Sequence, residues 1–325
     1  MGDALNVLVL MGGTSAERQV SLNTGAAVAP ALEAAGHNVA TYDLNPAAGR
    51  TILDLVASPG FKSADVTFIA LHGGEGEDGR IQAMLELVGM PYTGSGVRAS
   101  ALCMDKSVSK TIFKYHGIIT PPWSCLWGSD ASPEKGRGAV DGLGGLPVVV
   151  KPVDQGSTIG ISIVRDMGGL EAAIGLARKY SAGVLFEKYI AGRELSVPII
   201  GEQVFPIIEI KPKRGFYDYE RKYTKGMTIY DCPAAIGDAV ARRIEDQAMR
   251  AFRILGCEGF ARADLRLAED GTPYLLEMNT IPGMTETSLV PMGAKARGVS
   301  FTQLVDLIVS YALAASKVED CRTGG

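Results

Sequence analysis

Apolar and polar residues alternate most tellingly between Phe260 and Leu289, which read FARADLRLAEDGTPYLLEMNTIPGMTETSL. Two apolar-rich runs flank Asp270-Gly271, a dipeptide suited to a two-residue hairpin loop. With that loop Glu269 faces Thr272, and counting back puts Asp264 opposite Glu277 and Arg262 opposite Asn279. Side chains two apart on a strand share a face, so all four point the same way. Opposed carboxylates with Cβ atoms ~4.5–5.5 Å apart repel unless something positive lies between them. A hard divalent cation on oxygen ligands meets that need, Mg2+ beside a nucleotide phosphate being the common case. A solvated polar face on a half-exposed hairpin is the plainer alternative. Without nucleotide, Glu277→Gln should leave Asp264 less crowded and the melting temperature unchanged or slightly raised.

Residues 6–11 form a short, continuously apolar run of the kind buried in a parallel sheet. Gly12-Gly13-Thr14-Ser15 follows, then an Ala-rich helical stretch ending near Gly36. Strand, glycine turn and helix start expose amides that favour an anion. Glu17 sits at that turn, either as a complement to the helix dipole or as a partner for a ligand's ammonium group. Further strands at 38–43 and 65–71 complete a doubly wound start. His72-Gly73-Gly74-Glu75-Gly76-Glu77-Asp78-Gly79 then contains a literal GxGxxG. Its acidic spacers would repel a pyrophosphate, and it follows the third strand instead of the first, so it is not the dinucleotide fingerprint. His72 lies at the carboxyl edge of the sheet, where such folds bind ligands; a capping or core histidine is the alternative.

A helix is expected over 105–116, with Val108, Ile112 and Tyr115 on one face and Gly117 as its stop. Residues 130–145 read as a polar, Gly-rich connector. A buried strand over 146–152 ends in Lys151 and leads into Asp154-Gln155-Gly156-Ser157-Thr158-Ile159-Gly160. A hydroxyl-rich glycine loop beside a lysine makes a phosphate cradle, although it lacks the P-loop pattern and an ordinary hairpin turn would also fit. Another strand covers 184–190. The stretch 211–223 packs four aromatics among charges without any period, which suggests a lid over a ligand. A helix over 236–255 carries Val240, Ile244, Ala248 and Phe252 on one face, and a last helix covers 301–315.

At 325 residues the chain is long enough for two or three domains. Apolar residues make up 46% and charged ones 21%, which excludes long disorder. A net charge of −4 without a basic block argues against nucleic acid as a partner. No apolar run spans a bilayer and the first residues lack a signal-peptide pattern, so neither membrane nor export is expected. Five scattered cysteines read as reduced thiols in the cytoplasm. Three histidines without HExxH argue against zinc.

Taken together, GGTSAERQVSL, HGGEGEDG, YTGSGVRASALCMDK, VKPVDQGSTIG, FEKYIAGREL, FYDYERKY and LLEMNTIPGMTETSLVPM resemble the ATP-grasp carboxylate–amine ligases. More narrowly they resemble the D-alanine–D-alanine ligase family, across nearly the whole chain. The resemblance implies an α/β fold, α+β in its C-terminal half. An N-terminal doubly wound domain (1–100) would precede a two-part ATP-grasp fold (101–185 and 186–325). It implies ATP and two Mg2+ ions, with Mn2+ as a substitute; Glu277 would bridge the ions, with Asp264 on one and Asn279 on the other. Lys106 and Lys151 would hold phosphates under a loop including Ser157, Thr158 and Gly160. Glu187, Lys188 and Ile190 would frame adenine, and Glu194 would take the ribose hydroxyls. Glu17 would hold the ammonium of the first D-alanine, with His72 nearby. Arg262 and the Gly283 amide would stabilise an oxyanion. Ser288 and Lys222 would take the second D-alanine's carboxylate beside Leu289. Tyr223, Ser157 and Glu17 would tie lid to loop. Thr158 departs from the family's usual serine but keeps the hydroxyl and the amide. The implied product is D-alanyl-D-alanine for peptidoglycan precursors, made by a cytoplasmic homodimer. The rivals are a D-lactate- or D-serine-adding ligase and a nucleotide-binding regulator without catalysis.

Overall fold

The computed structural model of the chain describes residues 4–212 and 228–323, and side chains up to residue 314. Lys222, Tyr223 and most of the expected lid therefore lie outside the described residues. Among the described residues, three sheets carry the fold. The first joins β1 (Asn6–Gly12), β2 (Asn38–Leu44) and β3 (Val66–Ile69) in parallel, in the order β2-β1-β3. β1 lacks alternation because both of its faces are covered. Val7 and Val9 pack with Val28 and Leu32 of the helix Arg18–Ala34, and with Leu304 and Ile308 of the helix Phe301–Thr323. Leu8 and Leu10 pack on the other side against Leu55, Phe61, Ile81 and Leu85.

The second sheet is antiparallel. It comprises β4 (Trp123–Trp127), β5 (Val148–Pro152), β6 (Ser162–Val164) and β7 (Gly183–Lys188), ordered β4-β7-β5-β6. Val148, Val150, Val184 and Phe186 face a core shared with the helix Leu170–Arg178. Residues 130–145, expected as a connector, supply the other helix of that layer, Pro133–Gly142. Ser132 caps it by accepting from Lys135 N, Pro133 opens it, and Val140 is buried. Its glycines hid a capped amphipathic turn, and Gly136 is small because Ile174 and Phe186 lie against it.

The third sheet holds β8 (Arg193–Ile200), β9 (Gln203–Val204), β10 (Ile208–Pro212), β11 (Thr228–Asp231), β12 (Phe260–Leu267) and β13 (Pro273–Asn279). Its order is β11-β10-β8-β12-β13, with β9 paired to β8. The helix Asp238–Leu255 presses Ile244, Ala248 and Phe252 onto it and stops at Gly256, φ +73°.

The hairpin keeps the expected pairs but reaches them through a different turn. Arg262 does pair with Asn279 and Asp264 with Glu277. The turn, however, is one residue longer than two: Ala268 N bonds to Thr272 O, leaving Glu269, Asp270 and Gly271 as the loop, with Gly271 at φ +79°. Beyond it Leu267 pairs with Pro273 and Leu265 with Leu275, and an irregularity at Leu276 restores the count before Glu277. The extra loop residue and the bulge cancel. Without the bulge, Glu277 would pair with Ala263 and point into the core, because a one-residue slip reverses every side chain.

The helix expected over 105–116 forms as Lys106–Tyr115, but it is rotated from the expected face. Ser109, Lys110 and Phe113 are buried, whereas Tyr115 is 86% exposed. A fully buried lysine breaks the apolar period that would otherwise have revealed the inward face.

Gly192, at φ +132° just before β8, offers a test of this framework. A Cβ there would lie 2.1 Å from Leu267 O, at the base of the hairpin. Gly36 has φ +100° but nothing within 4 Å. Gly36→Ala should cost only backbone strain, about 1 kcal/mol, and Gly192→Ala at least about 2 kcal/mol. Thermal melting of the two variants should show the larger drop for Gly192→Ala; equal drops would show that the hairpin base is not wedged there.

Candidate active site

β12 alternates cleanly. Ala261, Ala263, Leu265 and Leu267 enter the core, while Arg262, Asp264 and Arg266 face a cleft between the second and third sheets. Their neighbours on β8 are Pro198, Ser196 and Glu194. The cleft floor is thus a row of polar pairs. Arg266 Nη1 lies 3.2 Å from Glu194 Oε2, and its Nε donates to Ile190 O at 3.2 Å. Asp264 accepts from Arg262 Nη2 at 2.7 Å and from the fully buried Ser196 hydroxyl at 2.8 Å. Glu277 pairs with Lys106 Nζ at 3.2 Å. Burial alone would push the Glu277 carboxyl up, but Lys106, Lys151 and Arg262 outweigh it and hold it at about 2.

Lys106 opens its helix, which Asp105 caps by accepting from Ser107 N and Val108 N. Its own amide donates to Val153 O at 3.1 Å and its Nζ to Gln155 O at 2.7 Å, so it pins the glycine loop to the hairpin. In that loop Ser157 and Thr158 both hold positive φ, 49° and 64°. Such conformations cost of order 1–3 kcal/mol each and gather at functional sites. Gly160, with φ +72°, seats the loop against Pro152 and Tyr180, where a Cβ would come within 2.9 Å of either. On the roof, Val149 and Lys151 of β5 and Glu187 of β7 face the cleft, while Val148, Val150 and Phe186 face the core. Lys151 Nζ donates to Glu187 Oε1 at 3.1 Å, and Lys110 Nζ lies 2.5 Å from Oε2. Burial pushes the Glu187 carboxyl up, but the two lysines more than offset it and hold it below the usual carboxylate range. Lys188, Ile190 and Glu194 complete the lining of an open cleft of about 1000 Å³.

A second pocket abuts this one and shares Ser157, Arg262, Asn279 and Leu289 with it. Glu17, Thr24, His72, Gly283 and Ser288 also line it. Glu17 precedes the helix Arg18–Ala34 but makes no side-chain cap; its carboxylate accepts from the Ser157 hydroxyl. Gly73 and Gly156 grip it, since a Cβ on either would lie 2.8 Å from Oε2. His72 is buried between Ile281 O, 2.9 Å from Nδ1, and the Thr24 hydroxyl, 2.8 Å from Nε2. A carbonyl only accepts, so in the neutral ring Nδ1 carries the hydrogen and Nε2 accepts from Thr24. The acidic GxGxxG is used internally: Glu75 accepts from the Thr14 amide at 2.8 Å, and Glu77 from the Gly73 amide at 3.1 Å. The anion at the first strand–helix turn is therefore Glu75.

The oxygen donors on the floor fit a hard divalent cation. Asp264, Glu277 and Asn279 contribute two carboxylates and an amide on facing strands, all lining the cleft. Among the described residues no three His, Cys, Asp or Glu side chains close into a metal cage. A cation here would take much of its shell from water or phosphate, the manner in which Mg2+ is commonly held.

Every expected site residue that is described thus lines one of the two pockets, save Gly160, which shapes the loop from behind; Lys110, in the helix that Lys106 opens, lines neither and was not foreseen. Sequence reasoning also missed Ser196 and Arg266. Arg266 was legible as the third polar residue of the alternation Arg262, Asp264, Arg266. Lys110 gave no such signal.

Comparison with known proteins adds an independent finding. The family model described as D-ala D-ala ligase C-terminus matches residues 112–310, and that described as D-ala D-ala ligase N-terminus matches residues 48–95. D-alanine–D-alanine ligase of Syntrophotalea carbinolica is 46% identical over 306 residues, spanning 94% of this chain and 95% of the relative. The enzyme of that name from Bordetella petrii is 47% identical over 308 residues, spanning 94% and 91%. The crystal structure of D-alanine–D-alanine ligase from Bacillus anthracis complexed with ATP is 35% identical with a TM-score of 0.84, covering 98% of this chain and 100% of that one.

The cleft reverses the stability expected for Glu277→Gln. Asp264 and Glu277 already have a cation each, so deleting the Glu277 charge strands Lys106 without relieving crowding. The variant should be less stable without nucleotide by about 1–3 kcal/mol. A carboxyl held at about 2 stabilises the fold fully above its unfolded value near 4.5 and loses that contribution as pH falls toward 2. The melting gap between the variant and the unaltered protein should therefore be constant from pH 6 to 8 and narrow below pH 4.5. A variant that melts higher at pH 7 would refute this pairing.

Proposed function

The chain belongs to the D-alanine–D-alanine ligase family, and we propose that it joins two D-alanine molecules at the expense of ATP, giving D-alanyl-D-alanine, ADP and phosphate for peptidoglycan precursors. The observation that carries this reading is the meeting of two unlike pockets at Arg262 and Asn279. One is a lysine-lined cleft under a strained hydroxyl loop; the other is an adjoining chamber with a gripped carboxylate. On this reading residues 101–185 and 186–325 grip the nucleotide, and residues 1–100 hold the first amino acid.

A carboxylate is a poor electrophile, so one oxygen of the first D-alanine attacks the γ-phosphorus of ATP and ADP leaves. The amine of the second D-alanine then attacks the acyl phosphate carbon, and phosphate departs from the tetrahedral intermediate. Glu17, turned into the second pocket, takes the first substrate's ammonium group, with His72 beside it. Arg262 lines both pockets and, with the Gly283 amide, receives the oxyanion. Ser288 and Leu289 border the second substrate with Lys222, and Tyr223 latches the lid to Ser157. Lys106 and Lys151 hold the phosphates under Ser157, Thr158 and Gly160. Glu187, Lys188 and Ile190 frame the adenine, and Glu194 takes the ribose. If Lys106 turns to a phosphate, Glu277 loses its cation. Two Mg2+ ions on Asp264, Glu277 and Asn279, replaceable by Mn2+, would restore that charge and polarise the transferred phosphoryl group. The names of the relatives support D-alanine, and not D-lactate or D-serine, as second substrate. A homodimer in the cytoplasm completes the reading; no described helix is long and apolar enough to cross a membrane.

Incubation with ATP, Mg2+ and D-alanine should yield equal amounts of ADP, phosphate and dipeptide. EDTA should stop the reaction and excess Mg2+ restore it. AMP and pyrophosphate as products would overturn the proposal. Glu277→Gln should lower kcat/KM by at least about 10²–10³, measured by phosphate release. A variant retaining a tenth of the activity would place the metals elsewhere.

A further inference from the structure

We propose that Lys110, which lines neither pocket, is a positioning residue whose charge balances Glu187 so that the ammonium of Lys151 remains available to the nucleotide. This deepens the function proposed above and rests on it. Lys110 is fully buried, and its Nζ contacts Glu187 Oε2, the Thr120 hydroxyl at 2.6 Å and the face of Trp123 at 5.8 Å. It therefore touches no ligand. Glu187 divides its carboxylate between two cations, Oε2 facing Lys110 and Oε1 facing Lys151. Two positive charges on one negative leave the cluster at +1. Of the three groups, Lys151 and Glu187 line the cleft and Lys110 does not.

Burying a lysine is costly, and a methionine of similar length would fill the same space without that cost. The position nevertheless holds a lysine, and the charge balance gives a reason. With Lys110 gone, Glu187 and Lys151 would close into a neutral pair, and Lys151 would be drawn to Glu187 instead of to an entering polyanion. Burial pulls the Lys110 ammonium down to about 8 against the attraction of Glu187, so it remains charged at neutral pH.

Lys110→Met should therefore weaken ATP while sparing D-alanine. In the full chain with Mg2+, titration calorimetry should show the Kd for ATP raised about tenfold or more, the usual scale for losing one partner of a buried charge pair. The KM for D-alanine should change by less than about twofold, since Lys110 is remote from the second pocket. The decisive arm is Lys110→Met with Glu187→Gln. With Glu187 neutralised, no negative charge is left for Lys110 to balance or to draw Lys151 away, so the double variant should bind ATP as tightly as Glu187→Gln alone. Two losses that multiply would overturn the inference, as would a Lys110→Met protein with unchanged ATP affinity. If Lys110→Met alone fails to fold, Glu187→Gln against the double variant remains decisive, with equal affinities expected. Failure here is distinct from failure of the ligase reading, which the unaltered protein tests through its products.

Discussion

Asp264 and Glu277 stand side by side on β12 and β13 because a protein cation stands against each of them. Arg262 reaches Asp264 from two residues away on the same strand, and Lys106 reaches Glu277 from the start of a helix before the second sheet. The two cations differ in what they bind together. Arg262 links the two pockets, whereas Lys106 ties the glycine loop to the hairpin through Gln155 O and Glu277. The cleft exists in this form because Arg262, Asp264 and Glu277 of the third sheet and Lys106 of a separate helix balance one another's charge.

The same economy runs through the roof. Lys151 and Lys110 share Glu187, and Arg266 answers Glu194. A polyanion entering such a cleft exchanges partners instead of meeting bare charge. Each lysine that turns to phosphate frees a carboxylate, and the freed carboxylates on the floor are those able to hold a hard cation. On the proposed function, nucleotide and metal would thereby be coupled by electroneutrality. The second pocket is built differently. Glu17 is fixed by sterics, between Gly73 and Gly156, and by the Ser157 hydroxyl, so its carboxylate is placed before any ligand arrives.

Much of this was legible in the chain because it is local. Continuous apolar runs made the parallel sheet, the alternation FARADLRL gave the floor, and the glycine loop after Lys151 announced itself by composition. The helix Asp238–Leu255 formed on its expected face because its inward positions are apolar apart from Gln247. The helix Lys106–Tyr115 did not, because one inward position is a lysine whose counter-charge lies on a strand more than seventy residues further on. Residues 130–145 were misread in part because Gly136 is small for packing against Ile174 and Phe186, a reason that lies in other elements of the layer.

The sequence by itself determined which residue types could do chemistry and, through periods of two and 3.6, which of them share a face. It also carried enough family likeness to name a reaction. The tertiary structure alone decided how those faces meet. The register that pairs Asp264 with Glu277 survives only because a bulge at Leu276 offsets a turn one residue longer than the Asp-Gly signal implies, two departures invisible to counting. The rotation of a helix toward Glu187, and the grip of two glycines on Glu17, likewise depend on partners far along the chain. Local patterns are fixed by neighbours in sequence, whereas charge balance and close contact are fixed by neighbours in space.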